Sequence, residues 1–234
     1  MRFSRWRAAG NEYLLAERAE LGGPLTPERV RENVGGADGI LEVVDVDGSD
    51  AEIVIWNADG SVAEMSGNGT RIAARWLAER SGAGEVRIRV GAREVVARML
   101  GEGEVEQELG PVEVFEGERV AGLDVIPVSV GNPHAVVIGD PDDLPLIGPL
   151  LETHPRFPGR TNVQVARVDA RGLVTARVWE RGVGETRSSG TSAVAVAAAT
   201  HGDGEVVVSF PGGVLRVRLE GGRAWLTGPA ERVE

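Results

Sequence analysis

The 234-residue sequence contains no cysteine, and all 25 of its basic residues are arginine. Without cysteine there is no disulfide framework, no thiolate nucleophile and no cysteine metal site. Without lysine, Schiff-base chemistry and lysine-anchored cofactors are excluded. Histidine is nearly as scarce, and His134, His154 and His201 are too widely spaced to form a recognisable metal box, so no metal is expected. Long apolar runs are missing too. Ile53–Trp56 and Ala193–Ala199 fall far short of the ~20 residues that a membrane-spanning helix needs. The start, Met1-Arg2-Phe3-Ser4-Arg5-Trp6, lacks the apolar core of a signal peptide. The expectation is therefore a cytoplasmic protein with no membrane partner. A net charge of −11 without any basic run argues against nucleic acid as a partner.

What is present is a repeat. A short apolar strand, Ile53-Val54-Ile55-Trp56, runs into Asn57, and Ser66-Gly67-Asn68-Gly69 then opens a helix. Later Val178-Trp179 runs into Glu180, and Ser189-Gly190-Thr191 opens an alanine-rich helix at the same spacing. Gly10-Asn11-Glu12-Tyr13 returns as Gly131-Asn132-Pro133-His134, and Gly84-Glu85-Val86 returns as Gly204-Glu205-Val206. Any one of these words is common. All of them in one order, at a nearly constant offset, indicate two homologous domains. The boundaries read 1–117 for the first, joined by a returning C-terminal strand at 224–234, and 118–223 for the second.

Period-two alternation marks strands at Glu52–Trp56, Val86–Val90, Val95–Met99, Thr175–Trp179 and Val214–Leu219. Helices are predicted at Thr26–Asn33, with Thr26 as cap and Pro27 in the first position, at Thr70–Arg80 and at Thr191–Thr200. Asp140–Pro158, with its five prolines, reads as an irregular connection. The fold class is α+β, each half a curved, mostly antiparallel sheet around a central helix. Small residues at each helix start leave backbone N–H groups open to a carboxylate.

Asn57-Ala58-Asp59-Gly60-Ser61, Ser66-Gly67-Asn68-Gly69, Gly131-Asn132-Pro133-His134-Ala135-Val136 and Glu180-Arg181-Gly182-Val183-Gly184-Glu185-Thr186 together resemble the diaminopimelate epimerase family. The resemblance covers essentially the whole chain. It implies two pseudo-symmetric domains with the active site in the cleft between them. It also implies a cofactor-free, pyridoxal-phosphate-independent isomerase that converts L,L- to meso-diaminopimelate in lysine and cell-wall synthesis, commonly as a homodimer. Its chemistry accounts for the duplication. Inverting a carbon needs one group to take a proton from one face and another to supply one to the opposite face.

The resemblance places Ser66 and Ser189 at the two acid/base positions, where the family carries cysteine. It makes Asn11, Asn57, Asn132 and Asn162 substrate-contacting asparagines. Gly67, Asn68, Gly190 and Thr191 become a carboxylate cradle, Glu180 and Arg181 hold an ammonium and the distal carboxylate, and His134 tunes the catalytic pair. Gly39 stands where some relatives carry glutamine. On residue chemistry alone, each asparagine can equally form a turn, each serine a helix cap, and Glu180–Arg181 a surface ion pair. His154 and His201 read as surface or packing residues.

Serine at both cysteine positions leaves three readings open. A thiol has a reference pKa of about 8.5, and an alkyl hydroxyl lies many units higher. The chain is a deliberate cysteine-free form, or a divergent isomerase using other groups such as His134 and Glu180, or an amino-acid binder without turnover.

Overall fold

The structure, a computed structural model, describes residues 2–233. Chain contacts divide it into two units, Met1–Glu108 with Thr227–Glu234, and Leu109–Leu226.

In the first unit β1 (Ser4–Ala8) and β2 (Asn11–Glu17) form a hairpin. Helix α1 (Pro27–Asn33) then crosses to β3 (Gly39–Asp47), parallel to β2, and β4 (Asp50–Asn57) returns antiparallel. The two-residue β5 (Val62–Ala63) folds back on β4 and leads into α2 (Gly67–Ser81). Next, β6 (Glu85–Val90) lies parallel to β4, and β7 (Arg93–Met99) and β8 (Glu104–Pro111) continue antiparallel. The α2 face Ile72, Ala73, Ala74 and Leu77 packs on Leu41, Ile53, Ile55 and Ile88. Burying one such large side chain stabilises by about 1.5–3 kcal/mol. The opposite face of β3 and β4 is covered as well, by Val30 and Leu25 against Ile40 and Trp56. Glu42, fully buried there, accepts from Arg18 Nε at 2.8 Å, Trp56 Nε1 at 2.9 Å and Leu25 N–H at 3.2 Å. A buried carboxylate is tolerated because its lone pairs are met.

The second unit opens with β9 (Glu113–Val114) and β10 (Glu118–Val120) and then retraces the same path. The hairpin of β11 (Leu123–Ser129) and β12 (Pro133–Ile138) is followed by α3 (Leu144–Glu152), which crosses to β13 (Asn162–Ala170), parallel to β12. Then β14 (Leu173–Glu180) returns antiparallel, β15 (Gly184–Thr186) folds back, and α4 (Gly190–Thr200) leads to β16 (Gly204–Phe210), parallel to β14. After β17 (Gly213–Glu220) come β18 (Arg223–Pro229) and β19 (Glu231–Arg232), and β19 pairs with β1. Helix α4 is alanine- and valine-rich and buried from Ser192 to Ala197, as suits a helix packed against sheet.

Two expectations are corrected. The boundary falls at Leu109 rather than at residue 118, because β9 pairs with β11 and so belongs to the second unit. Asp140–Pro158 holds a helix, α3, the counterpart of α1. Pro145 sits in its first turn, where no backbone donor is needed. The interior Pro149 is outweighed by packing: Leu144 and Leu151 are fully buried, and Gly148 lies so close to Trp179 that a Cβ would stand 2.8 Å from its ring. Helices α2 and α4 also begin earlier than predicted, at Gly67 and Gly190, each directly after its serine.

Candidate active site

The repeat gives each unit one strand–elbow–helix. Ser66 and Ser189 are the N-cap residues of α2 and α4, with nearly identical extended backbones (φ −143°, ψ 117° and φ −148°, ψ 130°). The first helical bond is the same in both, Thr70 N–H to Ser66 C=O at 2.9 Å and Ala193 N–H to Ser189 C=O at 3.0 Å. Beyond each serine lie the N–H groups of the first turn, from Gly67-Asn68 in one unit and Gly190-Thr191 in the other. At a helix start such groups, with the helix dipole, make a favourable seat for a carboxylate.

The side chains around the two elbows differ. Ser66 Oγ accepts from Gly69 N–H at 3.0 Å and lies 3.2 Å from Tyr13 Oη. Tyr13 faces Gly39 across the parallel β2–β3 pair. A Cβ on Gly39 would stand 2.2 Å from Trp56 O and 2.9 Å from the Tyr13 ring, so the phenol fills the space a larger residue would need. Below the elbow, Gly67 C=O accepts from Arg71 Nη1 at 3.1 Å and Gln107 Nε2 at 2.9 Å, and Gln107 Oε1 accepts from Thr70 Oγ1 at 2.8 Å. Asn68 Oδ1 accepts from Arg71 Nη2. Arg71 is fully buried, and burial pushes its pKa down to about 9, which leaves it cationic at neutral pH.

In the second unit Ser189 makes no capping bond. The place of Tyr13 in the repeat is taken by His134, which is buried and held at both nitrogens: Nε2 lies 3.0 Å from Asn132 Oδ1, and Nδ1 lies 3.0 Å from Gln164 Nε2. Gln164 Nε2 also reaches Ser192 Oγ at 2.9 Å, and Asn132 Nδ2 approaches Thr191 Oγ1 at 3.5 Å. Burial pushes the His134 pKa down to about 3, so the imidazole is neutral near neutral pH. The geometry makes it a support for Asn132 and Gln164.

The remaining expected residues stand at strand ends near their own elbow. Asn57 closes its turn, donating from Nδ2 to Ser61 Oγ at 2.9 Å. Asn162 Nδ2 donates to Pro133 C=O at 3.1 Å, and its Oδ1 accepts from Arg181 N–H at 2.9 Å. Arg181 Nη1 donates to Gly159 C=O at 3.2 Å, and Glu180 Oε1 accepts from Thr186 Oγ1. Asn11 opens β2 opposite Ala8. Sequence reasoning passed over Tyr13, Arg71, Gln107 and Gln164. The one available signal was the alignment of Gly10-Asn11-Glu12-Tyr13 with Gly131-Asn132-Pro133-His134, which sets two titratable side chains at equivalent positions.

Among solved structures the fold is shared with a phenazine biosynthesis protein of the PhzF family from Bacillus anthracis, with TM-score 0.74 and 13% identity over 100% of this chain and 98% of that one. It is shared too with a hydroxyproline epimerase from Agrobacterium vitis, with TM-score 0.71 and 17% identity over 98% of this chain and 88% of that one. The class is thus that of the two-unit racemase–epimerase fold. The model of the family "Diaminopimelate epimerase" matches residues 19–115 and 126–233. A diaminopimelate epimerase from Synechococcus elongatus is 38% identical over 100% of this chain and 96% of its own length, and a chloroplastic one from Oryza sativa subsp. japonica is 34% identical over 100% and 78%. The chain belongs to the diaminopimelate epimerase family, and with it to the isomerases that act on an amino-acid stereocentre.

Proposed function

We propose that this protein interconverts L,L- and meso-diaminopimelate by taking the α-proton from one face of the carbon and returning a proton to the other. The observation that carries the reading is full-length identity of 38% to a relative named for that activity. The duplicated elbows supply what the reaction requires, two equivalent hydroxyl positions each beside a helix N-terminus. As the α-proton leaves, negative charge spreads onto the α-carboxylate, where helix N–H groups stabilise it more strongly than in the ground state. Glu180 attracts an ammonium, Arg181 pairs with the distal carboxylate through its forked guanidinium, and Asn11, Asn57, Asn132 and Asn162 complete the substrate contacts. The same reading makes the protein a cytoplasmic homodimer, which light scattering on the purified chain tests for oligomeric state.

Serine in place of cysteine makes the reaction slow. Each pKa unit between proton carrier and working pH costs about 1.4 kcal/mol of driving force. In deuterated water, the α-hydrogen of diaminopimelate exchanges slowly with the protein as it stands, and the Ser66→Cys, Ser189→Cys double variant exchanges at least about 100-fold faster. No exchange by either protein at any pH, with binding retained in calorimetry, turns the assignment into that of a binder.

A further inference from the structure

We infer that Tyr13 is a proton relay behind Ser66, with the buried Arg71 guanidinium stabilising the phenolate that accepts the proton. The inference rests on the reaction proposed above and deepens it by saying how a hydroxyl at the first elbow is activated. Tyr13 Oη is 3.2 Å from Ser66 Oγ, within reach for direct proton transfer. Arg71, on the same helix as the serine it serves, is fully buried, and its side-chain hydrogen-bond acceptors among the described residues are both neutral, Gly67 C=O and Asn68 Oδ1. Its Nε, also buried, meets no acceptor. A buried cation without a carboxylate favours a nearby anion, and the phenol acts on the guanidinium through charge, pulling its pKa back up against burial. Two charged groups that flank Tyr13 have partners of their own. Glu12, its neighbour on β2, is paired with Arg5 and Arg7 of β1, and Asp38, just before β3, accepts from the Glu12 N–H. Arg71 bonds Gly67 C=O, next to the serine that Tyr13 touches, so its charge lies on the same side of the elbow as the phenol.

The step balances as a relay. The Cα–H bond breaks with its electron pair left on carbon, the proton passes to Ser66 Oγ, and the Ser66 hydroxyl proton moves to the Tyr13 phenolate. Protonation of the same face runs the sequence backwards. A phenol has a reference pKa of about 10, far closer to working pH than an alkyl hydroxyl, so the pair lowers the barrier that serine alone would face. Tyr13 acts through Ser66 and is a positioning residue in that sense.

The chain has one tyrosine, so tyrosinate absorbance, or the resonance of a 13C-labelled tyrosine, reports Tyr13 alone. The expected midpoint lies below the ordinary phenol value of about 10 and rises in Arg71→Met. A midpoint at or above about 10 in the unaltered protein overturns the inference whatever the activity. In the exchange assay, Tyr13→Phe is expected to lose at least about 100-fold and to move the acid limb of the pH profile. The same change in the Ser66→Cys, Ser189→Cys background loses less than about fivefold, because a thiol needs no phenolate. Equal losses in the two backgrounds mean a packing role and overturn the relay. Exchange absent from every variant overturns the proposed reaction, whereas exchange with an unlowered phenol overturns the relay alone.

Discussion

At the first elbow the serine hydroxyl is bonded twice, to Gly69 N–H and to Tyr13, above a fully buried arginine. At the second, on the same backbone path, the serine caps nothing and stands near a neutral network of His134, Asn132, Gln164 and Ser192. Duplication preserved the chain trace because strand pairing and the helix start fix it. It did not preserve the side chains below the elbow, which face different neighbours. The place of Arg71 in α2 is taken in α4 by the buried Val194.

The comparison can be broken most severely at Gly39. Its Gly39→Ala variant puts a Cβ 2.2 Å from Trp56 O, a backbone atom that cannot move aside, and should cost about 4 kcal/mol or more. The position taken by Asn162 in the second unit already carries a side chain, and Asn162→Ala should cost only about 1–3 kcal/mol for its lost hydrogen bonds. Urea unfolding of the two variants checks both values, and equal costs would show that the units are more alike than their contacts suggest.

A second effect is one of pH. His134 is held neutral in the fold, with its pKa depressed to about 3 from the ordinary 6.5. Below pH 6.5 the unfolded chain therefore binds a proton that the folded chain refuses, so stability falls as pH drops from 6.5 towards 3. At pH 5 the expected loss from this residue is about 2 kcal/mol. Stability measured at pH 7 and pH 5 in the unaltered protein and in His134→Gln isolates it, because the variant should lack that part of the slope.

The smallest effect concerns the serines themselves. Ser66→Ala removes a helix cap and should cost about 1 kcal/mol. Ser189→Ala removes no capping bond and should fall within about 0.5 kcal/mol of neutral. Thermal midpoints of the two variants check the difference, and a matched loss would show that Ser189 is tied as firmly as Ser66.

Much of this was legible beforehand. The repeat, the two elbows, the fold class and the family could be read because they are local words: strand alternation, a capping serine before glycine, and motifs of a few consecutive residues. Helix α3 was not, since its five-proline segment violates local propensity and is held by Trp179, distant in sequence. The Tyr13–Ser66–Arg71 group was not either, because a hydrogen bond between β2 and α2 leaves no mark in the chain between them.

By itself the sequence determined the duplicated path, the helix starts and the chemical type available at each elbow, since these depend on neighbouring residues alone. Tertiary structure decided which serine hydroxyl caps its helix, which histidine is buried and which arginine is buried among neutral acceptors. Those properties come from desolvation and from contacts across strands, and no stretch of consecutive residues encodes either.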